Sequence, residues 1–166
     1  MAALSVAIAA AAGAADVAQA RELIGEYFAT SAADPDFSRC LAAQGAAAEL
    51  AGLPGDYAPP RGRLLLARLG GRVAGCVALR PVPEDAAACE MKRLFVRPAF
   101  RGSGVARALV AALLREAAAA KYRRMVLDTL PSMRAAHALY RELGFEDVAA
   151  STSHPVAGAR FMQRAL

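Results

Sequence analysis

Two glycines past the middle of the chain stand where a strand-like pattern gives way to a helix-like one. The strand-like run ends at Val96, the loop contains Gly102 and Gly104, and an apolar-periodic segment starts at Val105. Glycine allows a sharp turn and leaves the backbone amides uncovered. The first turn of a helix adds unpaired N–H groups and the positive end of the helix dipole. The pattern therefore predicts a loop that binds the phosphate group of a cofactor.

The spacing within this loop separates it from two common phosphate-binding motifs. A Walker loop requires a lysine directly after its last glycine, where this chain has Val105. A dinucleotide fingerprint requires a third glycine and follows the first strand of its domain, whereas this loop lacks that glycine and lies past mid-chain. The loop instead contains Arg-x-x-Gly-x-Ala, from Arg101 through Gly104 to Ala106.

Flanking segments complete an ordered set of motifs. A strand-like run from Cys89 to Val96 precedes the loop, a short apolar strand ending at Asp128 follows the helix, and Leu-Tyr-x-x-x-Gly-Phe ends at Phe145. In this order, over residues 89–145, the chain resembles the GNAT N-acetyltransferase superfamily, and elsewhere it resembles that family only in general layout. The resemblance implies that acetyl-coenzyme A is the co-substrate. It also implies direct transfer of the acetyl group to a primary amine of a small molecule or peptide.

The resemblance further implies which residues hold coenzyme A. The pyrophosphate is expected on the backbone amides of the glycine loop. The pantetheine arm is expected to pair with the backbone of the preceding strand, as an added strand does, and an N–H of that strand would polarise the thioester carbonyl. No metal is expected. The expected cofactor-binding residues are Leu94, Phe95, Val96, Arg101, Gly102, Ser103, Gly104, Val105, Ala106, Arg107 and Tyr140.

Tyr140 is the expected catalytic acid for the leaving thiolate. A phenol with an ordinary pKa of about 10 is protonated at neutral pH. On a helix, Ala136, Tyr140 and Leu143 share the face that we expect to look towards the sheet and the cofactor. The alternative is a core tyrosine whose hydroxyl donates to the backbone.

Two carboxylates are candidates for the catalytic base that deprotonates the amine. Glu90 lies in the strand before the loop, and strand alternation would place it with Lys92 on one face and Met91 with Arg93 on the other. Partial burial there would suit Glu90 to accepting a proton, and the alternative is a surface ion pair with Lys92 or Arg93. Asp128 ends the next strand, where open α/β sheets bind ligands, or else it caps the following turn. If neither acts, solvent deprotonates the amine.

One position departs from the family pattern and keeps a second class of function open. Many members carry an asparagine that helps to bind the cofactor at the position where this chain has Met133. The chain could therefore be a catalytically silent sensor or structural subunit that binds acetyl-coenzyme A. His137 is expected to be a surface or packing residue, and His154 lies in a polar loop that could line the acceptor pocket.

Composition disfavours a nucleic-acid partner and a membrane location. The net charge is +5, but the arginines are scattered, only 6% of residues are aromatic, and no nucleic-acid-binding module is recognisable. The uncharged run of residues 1–15 is too short to span a bilayer. Three cysteines without a C-x-x-C spacing suit a reducing compartment, and the sequence shows no cluster of metal ligands. We therefore expect a cytoplasmic protein.

An α/β scaffold must position these residues. The resemblance implies a mixed, partly parallel sheet of six or seven strands flanked by about four helices, and we expect residues 1–166 to form a single GNAT domain. A helix separates the strands that end at Val96 and Asp128, so these two should be parallel. An edge strand near either terminus would allow a homodimer. The expected strands are 5–9, 63–69, 73–79, 89–96, 124–128 and 160–163, and the expected helices are 17–29 with Asp16 as N-cap, 37–50, 104–120 and 133–143.

Overall fold

A computed structural model describes residues 5–150 and 156–166 of the protein. Within these residues the chain forms seven β-strands and five α-helices. None of these helices is long and apolar enough to cross a membrane. The strands are β1 (Val6–Ala10), β2 (Arg63–Leu69), β3 (Arg72–Val82), β4 (Asp85–Val96), β5 (Arg124–Thr129), β6 (Glu146–Val148) and β7 (Arg160–Ala165). The helices are α1 (Gly13–Ser31), α2 (Pro35–Ala43), α3 (Ala46–Ala51), α4 (Val105–Ala119) and α5 (Arg134–Glu142).

The strands form one mixed sheet in the order β1-β2-β3-β4-β5-β7-β6. β4 and β5 are parallel, and the other neighbouring strands of the described sheet are antiparallel. α4 provides the predicted crossover between the two parallel strands. The predicted α/β class, with a partly parallel sheet of six or seven strands, is confirmed. β6 was not predicted because its three residues are too few for an alternating pattern to show.

The segment predicted as one helix over residues 37–50 forms two helices, which brings the described total to five. Gly45 takes a left-handed φ of 66° between α2 and α3, and this ends one helix and starts the next. Asp34 caps α2, because its side chain accepts hydrogen bonds from the backbone N–H groups of Asp36 and Phe37 at 3.0 and 3.4 Å. The helical region between α1 and β2 is therefore interrupted at Asp34 and again at Gly45.

The start of α1 differs from the prediction that Asp16 is its N-cap. The helix begins at Gly13, so Asp16 lies inside its first turn. From there the carboxylate accepts a hydrogen bond from the N–H of Ala12 at 3.1 Å and pairs with Arg68 of β2 at 3.1 Å. Asp16 thus stabilises the helix N-terminus from within and fastens it to the sheet.

Apolar side chains pack against both faces of the sheet. α4 covers one face through Leu109 and Leu113, which are fully buried. α1 covers the other face through Leu23 and Ile24, which are also fully buried. β4 lies at the centre of the sheet and contributes to both layers, so its backbone is held from two sides.

A β-bulge interrupts β4. The single residue Val77 of β3 lies opposite two residues of β4, Arg93 and Leu94. Arg93 adopts a φ of 60°, which is unusual for a residue other than glycine. The bulge makes the predicted alternation wrong beyond Lys92. Met91 packs in the α4 layer, but Arg93 turns to the opposite layer and contacts a carboxylate of α3.

The pairing between β4 and β5 is short. It runs from the pair Ala88 and Arg124 to the pair Glu90 and Val126, and it stops before the bulge. The remainder of β4 is not paired with β5. Separation of two adjacent strands within a sheet opens a cleft between them, and the backbone edge of β4 lines that cleft.

Candidate active site

A continuous cleft runs between β4 and β5, from the glycine loop to the carboxyl end of β5. Two adjoining pockets form it, and Tyr27, Leu94 and Met133 line both of them. α1 and α2 border the cleft on one side and α5 borders it on the other. The outer half reaches the predicted cofactor loop, and the inner half contains Lys92 and Asp128. The predicted cofactor segment therefore shares one space with Tyr140 and Asp128, two of the three candidate catalytic residues.

The glycine loop presents a row of unengaged backbone amides. Among the described residues, no oxygen accepts a hydrogen bond from the N–H groups of residues 102–107. Gly102 and Gly104 have φ values of 76° and 83°, a conformation that glycine adopts without strain. The hydroxyl of Ser103 donates to the carbonyl of Phe100, which stabilises the turn. Because these amides lie at the N-terminus of α4, the loop can bind a pyrophosphate.

The two arginines of the loop have structural partners as well. Arg101 Nε donates to the carbonyl of Val96 at 3.1 Å, which ties the loop to the end of β4. Arg107 forms an exposed ion pair with Glu142, which joins the start of α4 to the end of α5. The backbone amides, rather than these side chains, are therefore the unengaged donors of the loop.

The strand segment of residues 94–96 combines a buried set of side chains with an open backbone edge. Phe95 and Val96 are 4% and 8% exposed. The ring of Phe95 stacks on Tyr27, with centroids 5.4 Å apart. Since the segment lies beyond the last pair with β5, an extended ligand can hydrogen-bond to it in the manner of an added strand.

Tyr140 extends from α5 into the inner half of the cleft. The residue is 8% exposed, and its ring lies 5.7 Å from that of Phe145. Within residues 5–150 and 156–166 its hydroxyl has no hydrogen-bond partner, so it lacks the backbone partner expected of a core tyrosine. Burial raises the pKa of Tyr140, and the nearby Tyr27 and Asp128 act in the same direction. The phenol is therefore protonated at neutral pH.

Both candidate bases contact the same buried ammonium group. Lys92 Nζ lies 3.3 Å from Glu90 Oε1 and 3.4 Å from Asp128 Oδ1, and the Lys92 side chain is 7% exposed. Glu90 Oε2 also accepts a hydrogen bond from Arg80 Nε at 3.1 Å. These four side chains form a row of alternating charge across β3, β4 and β5, which we call the charge row. Asp128 and Lys92 line the cleft, whereas Glu90 is set back from it.

A known protein family has this combination of fold and motifs. Residues 20–145, from α1 to the end of the Leu-Tyr-x-x-x-Gly-Phe motif, match the acetyltransferase (GNAT) family. The chain belongs to the GNAT family. It is therefore an acyltransferase, and the resemblance stated from the sequence is confirmed.

Individual GNAT proteins show how far the similarity extends. An uncharacterized N-acetyltransferase of Schizosaccharomyces pombe is 36% identical over 129 residues, which cover 77% of this chain and 78% of that protein. Human N-acetylaspartate synthetase is 39% identical over 100 residues, which cover 60% of this chain but only 33% of the synthetase. The structure of a putative acetyltransferase from Salmonella typhimurium with its cofactor acetyl-CoA has a TM-score of 0.67 at 24% identity, covering 96% of this chain and 93% of that one. This last similarity shows a shared fold.

Several residues that line the GNAT cleft were not predicted from the motifs, and Lys92, Tyr27 and Gln44 are among them. Lys92 had a local signal, because strand alternation places it on the same face as Glu90. Tyr27 and Gln44 had none, since only the packing of α1 and α2 brings them to the cleft. Gln44 Nε2 donates to Cys40 Sγ at 3.1 Å. Gln44 Oε1 is the one side-chain N or O atom of the described residues that is completely inaccessible to solvent and has no hydrogen-bond partner.

The remaining predicted positions have packing roles or lie elsewhere. Met133, at the asparagine position of the GNAT pattern, lines the cleft, and its sulfur accepts a hydrogen bond from the Thr129 hydroxyl at 3.6 Å. His137 is buried, with Nε2 3.1 Å from Thr129 Oγ1, and burial together with the charge of Arg160 lowers its pKa. It is the packing residue that was expected. His154 lies outside the described residues, and within them no group of three or more His, Cys, Asp or Glu side chains could hold a metal.

Proposed function

We propose that the protein transfers the acetyl group of acetyl-coenzyme A directly to a primary amine of a small-molecule or peptide acceptor. The observation that carries this proposal is one cleft that runs from Ala106, in the loop with the unengaged amides, to Tyr140 and Asp128. Family membership supports it, because the relatives are named N-acetyltransferases. In this proposal residues 1–166 act as one domain.

The proposed cofactor position follows the cleft from end to end. The pyrophosphate binds the amides of residues 102–107, and the dipole of α4 adds to the attraction. The pantetheine arm lies along residues 94–96 and hydrogen-bonds to their open edge. An N–H of this edge stabilises the carbonyl oxygen of the thioester as it gains charge, and one such donor is typically worth about 3 kcal/mol.

Asp128 is the better placed of the two candidate bases, because it lines the cleft. Its carboxylate accepts a proton from the ammonium group of the acceptor, and the neutral nitrogen then attacks the thioester carbon. The C–N bond forms while an electron pair moves to the carbonyl oxygen, and the return of that pair breaks the C–S bond. The nitrogen loses its second proton to the departing sulfur, and Asp128 returns the first to solvent.

Tyr140 assists the departure of the sulfur by donating a hydrogen bond. Complete proton transfer from Tyr140 is unfavourable, because a phenol with a pKa of about 10 is a weaker acid than a thiol near 8.5. Burial raises the pKa of Tyr140 further and widens this difference. The hydroxyl therefore stabilises the developing thiolate without giving up its proton.

The Tyr140→Phe variant is expected to lower kcat at least about tenfold while leaving the Kd for coenzyme A nearly unchanged. The ring and its packing remain, so only the hydrogen bond to sulfur is lost. Because the raised pKa keeps the phenol protonated below about pH 10, we expect no alkaline loss of wild-type kcat from this group before that pH. Steady-state kinetics and calorimetry measure both quantities.

Tyr122→Phe is the matched control. Tyr122 is buried outside the cleft, and its hydroxyl donates to the carbonyl of Arg61 at 2.8 Å. This change should cost about 1 kcal/mol of stability and leave kcat unaltered. If Tyr140→Phe turned over acceptor as fast as the control, Tyr140 would have no part in the chemistry.

The acceptor end of the cleft has apolar walls and a few polar groups. Tyr27, Phe37 and Leu130 form the apolar walls. Lys92 supplies an ammonium group, and Gln44 supplies a side-chain amide. We propose an acceptor with an apolar or extended body and at least one hydrogen-bonding group besides its amine. The name of the human relative indicates an acidic amino acid, so aspartate belongs among the amines to be tested.

Release of coenzyme A thiol in the presence of an amine panel tests the proposed function. The panel contains aspartate, other amino acids, aliphatic amines and peptides with free N-termini, and mass spectrometry identifies the acetylated product. Amine-dependent release is the expected result. Tight binding of acetyl-coenzyme A without release for any amine would instead support the silent sensor or structural subunit.

We also propose a cytoplasmic location and a homodimer formed through an edge strand. Cys40, Cys76 and Cys89 are buried thiols that are not joined in a disulfide, which suits a reducing compartment. β1 has β2 as its neighbour and ends the described sheet, so its outer edge could pair with a second copy. Analytical ultracentrifugation at several protein concentrations should show the mass of a dimer. A monomer mass at every concentration would contradict this pairing.

A further inference from the structure

The bulge in β4 holds an arginine in a conformation that arginine rarely adopts. Arg93 has a φ of 60°, where the Cβ of any residue other than glycine crowds the backbone. Such residues persist only where the surrounding structure holds them, and they cluster at functional sites. Contacts from outside the strand must therefore hold Arg93 in place.

A half-buried carboxylate on α3 binds the Arg93 guanidinium in two places. Glu49 Oε2 accepts from Arg93 Nε at 2.7 Å, and Glu49 Oε1 accepts from Nη2 at 3.2 Å. The Tyr57 hydroxyl donates to Glu49 Oε1 at 2.8 Å, and the guanidinium carbon lies 5.2 Å from the centroid of the Phe28 ring. The side chains of Arg93 and Glu49 are 6% and 17% exposed. We call these four residues the Arg93 clamp.

Stability alone does not account for the clamp. The cost of desolvating a buried ion pair offsets most of its attraction, so apolar residues of similar size would stabilise the fold as well. Burial acts to raise the pKa of Glu49, but the hydrogen bonds and charge of Arg93 and the hydrogen bond from Tyr57 outweigh it and lower that pKa. Glu49 is thus ionised at neutral pH, and its two bonds fix the orientation of the guanidinium.

The bulge lies where the cleft opens. Pairing of β4 with β5 ends at Glu90, and Leu94, the second bulge residue, lines both halves of the cleft. A bulge bends its strand and changes its local twist. The conformation of Arg93 therefore sets the direction of residues 94–96, whose backbone edge faces the cleft.

We propose that the Arg93 clamp positions the backbone edge of β4 that receives the thioester, so that Glu49 and Arg93 are positioning residues for acetyl transfer. They act through the backbone of residues 94–96 and do not touch the reacting atoms. The inference rests on the proposed function, because it assigns the thioester to the gap between β4 and β5.

Glycine and alanine at position 93 provide a direct test. The double variants Arg93→Gly/Glu49→Gln and Arg93→Ala/Glu49→Gln both remove the ion pair and leave no buried charge unpaired. They differ by one methyl group, which opposes the φ of 60°. We expect kcat to be about fivefold or more lower in the alanine variant than in the glycine variant. The difference in the coenzyme A Kd should be smaller, because the pyrophosphate contacts at residues 102–107 remain in both.

Single variants separate an effect on positioning from a loss of the fold, provided that each variant unfolds thermally at the same temperature as the wild-type protein. Glu49→Gln keeps the size of the side chain, and we expect it to lower kcat about tenfold with a smaller effect on the coenzyme A Kd, because the pyrophosphate contacts at residues 102–107 remain. Arg39→Gln, which breaks an exposed pair with Asp36 on α2, is the control and should leave kcat unchanged. A wild-type kcat in Glu49→Gln would overturn the proposal.

Crystal structures of the two double variants make the test independent of turnover. We expect the bulge to remain in the glycine variant and to be lost in the alanine variant. The proposal is overturned if both variants keep the bulge, or if their kcat values are equal. If the wild-type protein released no thiol with any amine, the proposed function would fail, but the two structures would still decide whether the clamp sets the bulge.

Discussion

Replacing Gly104 with glutamate is expected to abolish the binding of acetyl-coenzyme A, with a Kd raised at least about 100-fold. Gly104 lies within the row of unengaged amides, where a carboxylate would repel the pyrophosphate. No atom lies within 4 Å of the position that a Cβ at residue 104 would occupy, so a larger side chain fits there without a clash. The loss would therefore come from charge and from the left-handed φ of 83° rather than from a clash. Isothermal calorimetry measures the Kd.

Alanine and glutamine at position 104 separate backbone strain from charge. Each of the three substitutions carries a strain of about 1–2 kcal/mol, and glutamine also matches the bulk of glutamate. We expect alanine to weaken binding about tenfold, glutamine somewhat more, and glutamate far more than either. Equal Kd values for the glutamine and glutamate variants would show that no diphosphate binds at this loop.

Asp128→Asn is expected to lower kcat about 100-fold at neutral pH, the usual contribution of a general base. The amide keeps the size of the carboxylate but cannot accept a proton from the ammonium group. At higher pH a growing share of acceptor is already neutral, so the difference between variant and wild type should narrow. A pH series of steady-state rates with the best amine from the panel measures this.

Glu90→Gln is the matched control for Asp128→Asn. Each change removes one of the two carboxylates that pair with Lys92, but only Asp128 lines the cleft. We expect Glu90→Gln to lower kcat by about fivefold or less. If Glu90→Gln lowered kcat more than Asp128→Asn does, Glu90 would be the catalytic base. If neither variant lowered kcat appreciably, solvent would be the group that deprotonates the amine.

Features set by neighbouring residues were predicted from the sequence. The turn at Gly102 and Gly104, the crossover from β4 to β5 and the face of α5 that carries Tyr140 each depend on a short stretch of chain. The break between α2 and α3 also had a local signal in Gly45. It was missed because the alanines on both sides favour helix.

Features set by contacts between distant segments were not predicted. The bulge contains no glycine, which would have indicated an irregular strand, and Glu49, whose carboxylate binds Arg93, is 44 residues away in sequence. The cover of the cleft by Tyr27 and Gln44 depends in the same way on how two helices pack over the sheet. Such geometry arises from tertiary packing, which no local pattern encodes.

Lys92 forms ion pairs with two carboxylates at once, and this couples the three side chains energetically. Removing the ammonium leaves both Glu90 and Asp128 without their shared cation, whereas removing one carboxylate leaves the other still paired. The effects of substitutions at these positions will therefore not add. During divergence we expect the lysine to be exchanged only together with one of its acidic partners, so that the three positions are inherited as a linked set.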